Sequence, residues 1–513
     1  MFGKVVGTAF LSLVAGGLLV IPAGAQTETQ VTSERHDQPL ASNALPSEQV
    51  RSELAQQLLE LALADIHPAF NELWLSLHQS HSQEQQAALY AQVYSILKQF
   101  RTQWHGLDWD ARERLNLEGV KLSTDVGLQK AYWLALADGS LATDVNAMRP
   151  AFREYDAMRS QLSTLLDTAR AAKWPEKLPA IKLHPGEENP GLAEIKPLLQ
   201  QLKLAETLES GARYDDATVA AVELFQRQHG LLPDGIIGPR TLAWLQISPA
   251  QKAVIVARSL LRRDMGAQTV SSRYVLVNIP EYRLRVLDGD DEVFTSRVIV
   301  GQLKRQTPLL ASKIASVVLN PPWSVPTSIL KKDIVPKLAK DHQYLAKEKF
   351  DVYDYSGARV DPATIPWPEA LQAGFPYKLQ QKPGDHNALG RYKFYLPNDE
   401  SIYLHSTSHP RLFEQNARAI SSGCVRVEQA ADFANLLLKG SAWGPERVSK
   451  TIATDNTKWV KLSAPVPLFM TYWRAWVDEK GQLQLRDDIY GFDDVAGRGD
   501  QAVIDSVLSA SHR

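Results

Sequence analysis

The spacing of the apolar residues changes once along this chain of 513 residues, near residue 270. From residue 48 to about 167, apolar residues such as Leu54 and Leu58 recur at the spacing of one face of an α-helix. Between 273 and 301 apolar and polar residues alternate, which is typical of β-strands. The chain is therefore predicted to be an α+β multidomain protein, in which a helical N-terminal scaffold precedes a β-rich domain.

Shifts in composition mark the predicted boundaries between domains. A Pro-rich stretch at 174–191 breaks the first helical pattern and is interpreted as a linker. The chain length is consistent with two to four domains. The predicted segments are a signal peptide at 1–25, a flexible leader at 26–47, the helical scaffold at 48–190, a small helical module at 191–250, a helical connector at 251–271, the β-rich domain at 272–469 and a C-terminal segment at 470–513.

Residues 321–385, called the insertion below, interrupt the predicted strands with a segment rich in Pro, Lys and aromatic residues. Strands are predicted on both sides of it, at 314–319 and 392–396, and helical spacing returns at 334–346. Long insertions in compact domains are often functional. We therefore expect a partly helical lid over a substrate site, and an excursion without a function is the alternative.

The first 25 residues have the three parts of a secretory signal peptide. Lys4 lies near the start, an apolar run follows, and the small residues Ala-Gly-Ala stand at 23–25. A retained anchor, with the membrane as a partner, is the alternative; the helix-breaking Pro22 argues against it. The mature protein is therefore expected to be exported. The polar leader at 26–47 has few aromatic residues and is expected to be flexible.

Cys424 is the only cysteine in the chain. A structural cysteine in an oxidising compartment is normally paired, and this one has no partner within the chain. An intermolecular disulfide, a buried inert thiol and a reactive nucleophile are the three options. The formal net charge of −2 indicates no polycationic surface, so nucleic acid is not expected as a partner.

The residues around Cys424 favour a nucleophile. Ser-Ser-Gly at 421–423 brings backbone N–H groups close to the sulfur, because Gly tolerates backbone angles that larger residues refuse. Residues 427–439 have helical spacing, so Cys424 is predicted to lie near a helix N-terminus, where its pKa would fall. His405 ends an apolar strand 19 positions earlier and would act as general base and then acid. His409, in a polar loop, is the rival base.

Two other patterns favour structural interpretations. His78 and His81 could share a helix face as metal ligands, but no third ligand accompanies them, so a solvated helix end is expected. Ser328 and Lys331 fit the S-x-x-K signature of serine penicillin-binding enzymes, whose K-T-G strand also requires a glycine. The nearest candidate has Ile452 at that position, so a helix start is expected in the insertion. Neither a metal site nor a cofactor is predicted.

The module contains the pattern F-Q-x-x-x-G-L-x-x-D-G-x-x-G-x-x-T. This pattern resembles the peptidoglycan-binding domain type 1 family, over about fifty residues. The resemblance implies a unit of three helices that binds the bacterial cell wall. The residues that carry it are Phe225, Gln226, Gly230, Leu231, Asp234, Gly235, Gly238 and Thr241.

The sequence S-S-G-C-V-R at 421–426, with His405 upstream, resembles the catalytic signature of the L,D-transpeptidases with a YkuD-like domain. Many members carry a second histidine where this chain has Ser422. The large Gram-negative members, which have an N-terminal scaffold and a peptidoglycan-binding module, also read S-S-G-C, so the resemblance is to that subgroup. The likeness extends to 320–326 and 383–394 and spans roughly 198–469.

This resemblance implies a periplasmic, wall-associated enzyme of peptidoglycan biosynthesis. Cys424 would attack the bond between meso-diaminopimelate and D-Ala in a tetrapeptide stem, releasing D-Ala and forming a thioester. The amine of a second stem would then form a 3→3 cross-link. His405 would be the base, and the backbone of Gly423 with the side chain of Tyr403 would stabilise the oxyanion. The residues assigned to substrate binding are Arg426, Ser422, Ser421, Asn387 and Trp323, with a structural ion pair as the alternative for Arg426.

The same resemblance implies further partners and leaves other functions open. Carbapenems would acylate Cys424, and other cell-wall enzymes are candidate partners. Water in place of the second amine would make the protein an L,D-carboxypeptidase, or an amidase that cuts a lipoprotein from the wall. A third interpretation is a non-catalytic wall-binding scaffold, in which the thiol is incidental. The residues at the nucleophile do not separate transfer from hydrolysis, although a lid that excludes water favours transfer.

Overall fold

The computed structural model describes residues 44–79, 81–265, 272–341, 343–493 and 501–509. The predicted signal peptide at 1–25 and residues 26–43 of the predicted leader lie outside these ranges and stay predictions. Within the described ranges, no helix combines the length and the apolar character needed to cross a bilayer.

The scaffold is helical throughout, as the spacing of its apolar residues predicts. Polar side chains cap the first turns: the Ser47 hydroxyl accepts the N–H of Val50, and Ser82 and Gln85 cap each other reciprocally. These caps fix where the longest helices begin. The helices are α1 (Glu48–Ala64), α2 (Pro68–Leu77), α3 (Gln83–Gly106), α4 (Trp109–Arg114), α5 (Val126–Asp138), α6 (Leu141–Ala147) and α7 (Tyr155–Ala171).

The small module has three helices, as its family resemblance implies. The buried Gln226 side chain donates to the Ile236 carbonyl and accepts from the Gly235 N–H, both at 2.9 Å, so the motif closes the turn between the last two helices. The predicted linker packs on this module, because the Trp174 indole donates to the Leu245 carbonyl at 2.9 Å. The helices are α8 (Leu192–Gln201), α9 (Asp216–Gln228) and α10 (Pro239–Gln246).

Helix α11 (Pro249–Arg263) confirms helical structure in the first part of the predicted helical connector at 251–271. Every residue from 252 to 260 is buried, which is the pattern of a helix enclosed on all sides. It packs against α1 and α7, and Arg262 binds both carboxylate oxygens of Asp493 at 2.9 and 2.6 Å. The helix is therefore a central element that joins the scaffold to the C-terminal segment.

The β-rich region begins with β1 (Arg273–Asn278), β2 (Arg283–Asp288), β3 (Asp291–Gly301) and β4 (Leu310–Leu319). The insertion contributes β5 (Trp323–Ser324), α12 (Thr327–Ile329), a π-helical turn at Leu330–Ile334, α13 (Val335–Leu338), α14 (Tyr344–Lys347), β6 (Phe350–Tyr353), β7 (Arg359–Val360), a 3-10 turn at Pro362–Thr364, α15 (Trp367–Gln372) and β8 (Lys378–Gln381). The remaining elements are β9 (Tyr392–Tyr395), β10 (Leu404–His405), a 3-10 turn at Pro410–Glu414, β11 (Ala419–Ser421), β12 (Val425–Val427), α16 (Ala430–Leu437), α17 (Pro445–Ile452), β13 (Lys458–Thr471), β14 (Ala475–Val477), β15 (Leu483–Leu485) and α18 (Gln501–Ser509).

The main sheet has the strand order β11-β3-β12-β10-β9-β4-β13-β1-β2, and a further β2–β3 pairing closes it on itself. Its core-facing residues include Phe394, Leu404 and Val425, which are fully buried. The rings of Phe394 and Phe433 lie 4.6 Å apart, so α16 packs on this face. Alternation along each strand then directs the neighbouring side chains to the opposite face.

The insertion forms a small unit with its own core. Its strands make a separate sheet of order β5-β8-β6-β7. Buried residues such as Phe350, Phe375 and Leu379 pack together beneath this sheet. The start of α12 at Thr327 agrees with the predicted helix start around Ser328, and the insertion is partly helical as predicted. Its action as a lid stays a prediction.

The scaffold also reaches into the β-rich domain. Trp109 at the start of α4 packs on Phe469, with ring centroids 4.9 Å apart, and its indole donates to the Met470 carbonyl at 3.0 Å. The Glu113 carboxylate accepts the backbone N–H of Tyr472 at 2.7 Å. The C-terminal segment returns to the scaffold, where α18 packs against α7, α2 and α1.

Candidate active site

Two paired strands bring the predicted catalytic residues onto one face of the main sheet. Strands β10 and β12 are parallel, with Leu404 opposite Val425 and His405 opposite Arg426. Leu404 and Val425 are fully buried in the core, so their neighbours along each strand point to the other face. That face therefore carries Tyr403, His405, Cys424 and Arg426, together with Lys393, which lies opposite His405 on β9.

Cys424 lies at the entrance to a strand, and the predicted helix N-terminus at this position is wrong. Strand β12 begins at the next residue, and α16 begins only at Ala430. Of the segment 427–439, in which a helix was predicted, only Val427 is taken by strand pairing, and the helix is found at Ala430–Leu437. The cysteine is half-buried, so its sulfur is neither sealed in the core nor fully exposed.

The Ser-Ser-Gly turn is organised by the hydroxyl of Ser421. This buried hydroxyl accepts the Gly423 N–H at 3.1 Å and donates to the Cys424 carbonyl at 2.7 Å. Gly423 has a φ of 117°, which side chains rarely adopt. The Gly423 N–H is therefore occupied within the turn, which argues against its predicted service to an oxyanion. Among the described residues, no hydrogen-bond acceptor faces the backbone N–H of Cys424.

Tyr403 places two polar groups beside the thiol. Its backbone N–H and its hydroxyl both interact with the sulfur of Cys424. The Val425 N–H donates to the Tyr403 carbonyl at 3.2 Å, which holds the two segments together. The Tyr403 hydroxyl also interacts with Trp323 of the insertion. Burial is the main reason that the pKa of Tyr403 is raised, so this phenol stays protonated and can donate.

His405 is buried and held in a defined orientation. Its Nδ1 lies 2.5 Å from the Ser406 carbonyl, and this contact requires the proton on Nδ1, leaving the Nε2 lone pair free to accept a proton. Burial, with help from Arg426, lowers the pKa of His405 to about 3, so the imidazole is neutral. No hydrogen bond joins it to Cys424 in the described chain, although the two side chains lie on the same face of the paired strands. The rival His409 is exposed and contacts the Ser408 hydroxyl.

The charge state of the thiol differs from the prediction. Burial raises the pKa of Cys424, whereas a helix N-terminus was expected to lower it. Tyr403, Lys393 and Arg426 act against burial and favour the thiolate. The Lys393 ammonium lies 3.8 Å from the centre of the Tyr403 ring, and its own pKa is lowered by burial. The resting site is therefore a neutral thiol beside a neutral imidazole, flanked by two cations.

The two cations have no carboxylate partner. Within the described chain neither Lys393 nor Arg426 forms an ion pair, and the Arg426 Nε is buried without a hydrogen-bond partner. The alternative of a structural ion pair for Arg426 is therefore not found there. Both side chains are half-buried, so a ligand that enters the site can reach them. The arrangement suits a substrate carboxylate next to the nucleophile.

A salt bridge joins the insertion to the nucleophile turn. Arg305 donates to the Ser422 hydroxyl at 2.9 Å and forms a two-pronged contact with Asp333, one bond of which measures 2.8 Å. Ser422 is exposed next to the cysteine, whereas Asp333 belongs to the insertion. The pKa of Asp333 is lowered chiefly by this hydrogen bond, so the pair is ionised. Through it and Trp323, the insertion touches the site at two points.

Asn387 lies away from the reacting atoms. It is fully buried, and its amide donates to the carbonyls of Pro321 and Lys382 at 3.1 and 2.9 Å. Its oxygen accepts the N–H of Leu389 at 2.8 Å. These bonds fix both ends of the insertion, which argues against direct contact with substrate.

The other candidate sites of the sequence have structural partners. His78 ends α2 with its Nδ1 2.8 Å from the Trp74 carbonyl, and His81 contacts the Ser76 carbonyl at 2.7 Å. In the described ranges, no group of three or more His, Cys, Asp or Glu residues is placed to hold a metal. Lys450 and Thr451 lie on helix α17 and not on a strand.

Sequence reasoning missed Lys393 and Arg305. Lys393 falls in the alternating strand Tyr-Lys-Phe-Tyr, where a polar residue indicates only the face away from the core. Arg305 lies in a loop, and its two partners are 28 and 117 positions away. Strand register determines where Lys393 lies, and long-range pairing determines where Arg305 lies. The spacing of neighbouring residues in the sequence indicates neither.

Two protein families match parts of the chain. Residues 272–449 match the YkuD family, described as the L,D-transpeptidase catalytic domain. Residues 188–245 match the family described as "Putative peptidoglycan binding domain". Both resemblances stated from the sequence are therefore confirmed, and the β-rich region that holds Cys424 carries an L,D-transpeptidase catalytic domain.

A curated relative and two solved structures resemble the chain. A protein of Haemophilus influenzae named "Putative L,D-transpeptidase" is 41% identical over 219 residues, which are 43% of this chain and 44% of the relative, so the chain spans less than half of that protein. An L,D-transpeptidase from Xylanimonas cellulosilytica is 15% identical and covers 57% of this chain and 100% of its own, with a TM-score of 0.19. One from Stackebrandtia nassauensis is 14% identical and covers 59% and 98%, with a TM-score of 0.21.

Proposed function

We propose that the protein is a cysteine L,D-transpeptidase that cross-links peptidoglycan stems through a thioester on Cys424. The observation that carries the proposal is the shared face of β10 and β12, where Tyr403 and His405 stand beside Cys424. The match of residues 272–449 to the catalytic-domain family supports the reaction class. The peptidoglycan-binding match at 188–245 supports the substrate class.

In the first half-reaction, the sulfur of Cys424 attacks the carbonyl carbon between meso-diaminopimelate and D-Ala. His405 accepts the thiol proton on Nε2 as the S–C bond forms, because its Nδ1 proton is held by the Ser406 carbonyl. The tetrahedral oxygen is stabilised by the Cys424 N–H and the Tyr403 hydroxyl. His405 returns the proton to the departing amine of D-Ala, and a thioester remains.

In the second half-reaction, the side-chain amine of a second stem attacks the thioester carbon. His405 takes the proton of that amine and gives it to the sulfur as the C–S bond breaks, so the thiol of Cys424 is released when the 3→3 amide bond forms. Lys393 and Arg426 hold a carboxylate of the stem, which orients the carbonyl toward the sulfur. The insertion restricts water at the thioester, so the amine is favoured as acceptor.

The site of action proposed for the enzyme is the periplasm. The signal-peptide pattern at 1–25 supports export, and the peptidoglycan substrate is found outside the cytoplasmic membrane. We also propose carbapenems as covalent inhibitors, since their strained carbonyl accepts the same sulfur. Other cell-wall enzymes stay candidate partners.

Incubation with purified disaccharide-tetrapeptides, followed by mass analysis, tests the reaction. Dimers with a 3→3 bond and free D-Ala are expected from the native chain, and neither from Cys424→Ala. Trimmed monomers alone would make the protein an L,D-carboxypeptidase. Intact-mass analysis after carbapenem treatment gives a second readout: an adduct is expected on the native chain, and an equal adduct on Cys424→Ala would overturn the role of the thiol.

A further inference from the structure

A cavity of about 240 Å³ lies between the peptidoglycan-binding module and the β-rich domain. It is distinct from the face that carries Cys424, since none of the proposed catalytic residues lines it. Three parts of the chain meet there: the end of α9 with the start of α10, the turn between β1 and β2, and the segment after β15. The loop that leads from His405 to Cys424 forms a further wall through Asn416 and Arg418.

The walls of this cavity carry more positive than negative charge. Five arginines line it and only two carboxylates, those of Glu281 and Asp487. Both carboxylates are already engaged: Glu281 contacts Arg285 at 2.5 Å, and Asp487 contacts Arg240 at 2.6 Å. The lining arginines are Arg227, Arg240, Arg283, Arg418 and Arg486.

Two of these arginines bind only neutral groups. Arg418 donates to backbone carbonyls, including that of Tyr282 at 3.3 Å, and Arg486 donates to the carbonyl of Gln228 at 3.1 Å. Neither has a carboxylate within ion-pair distance in the described chain. Burial lowers the pKa of Arg486 to about 10, so this guanidinium is still charged at neutral pH but is poorly solvated. A buried cation with no carboxylate in ion-pair contact, whose two acidic neighbours are bound to other arginines, favours an anionic ligand.

A buried histidine forms part of the wall of the same cavity. His229 is 5% exposed, and its Nδ1 lies 2.7 Å from the Phe225 carbonyl, so Nδ1 donates and Nε2 is a lone-pair acceptor. Its Nε2 is buried without a hydrogen-bond partner. This nitrogen is closed off from the cavity, so a ligand there is held by the arginines and not by His229.

We propose that this cavity is a second ligand site, which binds the carboxylate end of a peptidoglycan stem peptide. The carboxylate would lie between Arg418 and Arg486. The volume suits one amino-acid residue rather than a whole stem. The assignment to a stem rests on the proposed function, whereas carboxylate binding in the cavity does not.

The cavity also has a physical connection to the nucleophile. Asn416 donates to the Gly230 carbonyl of the module at 3.0 Å, and it lies on the loop that leads to β11 and Cys424. Arg418 holds the same loop to the Val298 carbonyl at 3.2 Å. A ligand on Arg418 would therefore contact the module and the catalytic domain together, and stabilise their present arrangement.

Titration calorimetry of the full chain with N-acetylmuramyl-L-alanyl-D-glutamate tests this site, because the probe has no D-Ala to release and cannot acylate Cys424. Saturable binding is expected, weakened about tenfold in Arg418→Gln and several-fold in Arg227→Gln. Arg227 lies at the exposed rim, so its variant keeps the test informative if Arg418→Gln misfolds. Arg213→Gln, an exposed arginine of the same module outside the cavity, is the matched control and should bind like the native chain.

Two further ligands test whether the cavity recognises a carboxylate, a neutral saccharide or any small anion. Chitobiose, which is neutral, should not bind, whereas sulfate should compete weakly. No saturable binding of the muramyl probe, equal binding by Arg227→Gln and native chain, or sulfate binding as tightly as the probe would each overturn the proposal. Absence of the cross-linking reaction would not overturn this proposal, because that reaction is measured from muropeptide products, whereas binding is measured by calorimetry.

Discussion

Tyr403 lies directly beside Cys424 across two parallel strands, with its hydroxyl and its backbone N–H both at the sulfur. Tyr403 therefore acts on the thiol directly, whereas no hydrogen bond joins the thiol to His405 in the described chain. We propose that the phenol stabilises the oxyanion and the thiolate, and that His405 transfers the proton. In that proposal Tyr403 supports the sulfur in a site that has no helix N-terminus.

Replacement of Tyr403 by Phe should slow acylation of Cys424 on the order of a hundredfold, because one donor to the developing oxyanion is lost. The second-order rate constant for carbapenem acylation, followed by intact mass, measures this effect. Tyr395→Phe is the matched control, since Tyr395 is an exposed tyrosine on the neighbouring strand β9. An unchanged rate in Tyr403→Phe would exclude the phenol from the reaction.

The rate of Cys424 alkylation by iodoacetamide should rise steadily with pH. Burial raises the pKa of this thiol, so its thiolate fraction still increases above the usual cysteine value of about 8.5. The pKa of His405 is about 3, so the imidazole stays neutral between pH 5 and 9 and gives no inflection near 6.5. A rate plateau that begins below pH 7 would show instead a stable thiolate–imidazolium pair.

Replacement of Lys393 by Met should reduce alkylation of Cys424 at pH 8 by roughly threefold to tenfold, because a nearby cation that favours the thiolate is removed. The pH profile should shift to higher pH without a change in its maximum. Lys461→Met is the control, since Lys461 is an exposed lysine of β13, away from β10 and β12. Equal shifts in both variants would mean that general surface charge causes the effect.

Replacement of Arg305 by Met should loosen the insertion over the nucleophile turn, because its contacts to Ser422 and Asp333 are both lost. Hydrogen exchange should become faster in residues 327–338, and the ratio of hydrolysed to cross-linked product should increase. Arg359→Met breaks another Arg–Asp contact of the insertion, with Asp351, far from the turn. If both variants gave the native product ratio, the salt bridge would have no part in controlling water.

Replacement of Lys252 by Met should stabilise the protein at neutral pH. Lys252 is buried between the rings of Trp174 and Phe225, its ammonium nitrogen has no hydrogen-bond partner, and burial lowers its pKa to about 7. Between about pH 7 and 10.5 the unfolded chain holds a proton that the folded chain lacks, so native stability rises with pH in this window.

The thermal midpoint of Lys252→Met should be a few degrees higher than that of the native chain at pH 7. The difference should shrink as the pH approaches 10. Lys177→Met, an exposed lysine near Trp174, should change neither the midpoint nor its pH dependence. A lower midpoint in Lys252→Met at every pH would show that the ammonium group stabilises the fold.

The spacing of the apolar residues predicted which segments form helices better than it predicted what those helices pack against. The helix at 249–263 is expected from its sequence, and the consecutive apolar residues 253–257 already indicate burial on all sides, which a connector does not need. The helix predicted from residue 427 begins at Ala430, because β12 pairs Val425–Val427 with both neighbouring strands. Tertiary pairing overrides helical spacing there.

The residues of the candidate site were predicted from residue types and from the family resemblance, whereas the charge state of the thiol was not predicted correctly. His405 was predicted at the end of a strand and Cys424 near a helix N-terminus, whereas both lie on one face of paired strands, and the raised pKa of the thiol depends on burial, which the sequence does not contain. The hydroxyl of Ser421 accepts the N–H of Gly423, which argues against the predicted role of that N–H at an oxyanion. A short polar side chain that binds a neighbouring backbone N–H in this way is recognised only in the three-dimensional structure.

The insertion of Trp109 and Glu113 into the β-rich domain has a practical consequence for anyone who shortens this chain. A fragment that starts at residue 272 would match the catalytic family, yet it would lack the indole that covers Phe469 and the carboxylate that receives the Tyr472 N–H. It would also leave Asp493 without the guanidinium of Arg262. A fragment limited to the segment that matches the catalytic family is therefore expected to be less stable than the longer chain, and kinetic work belongs on the chain that keeps its helical half.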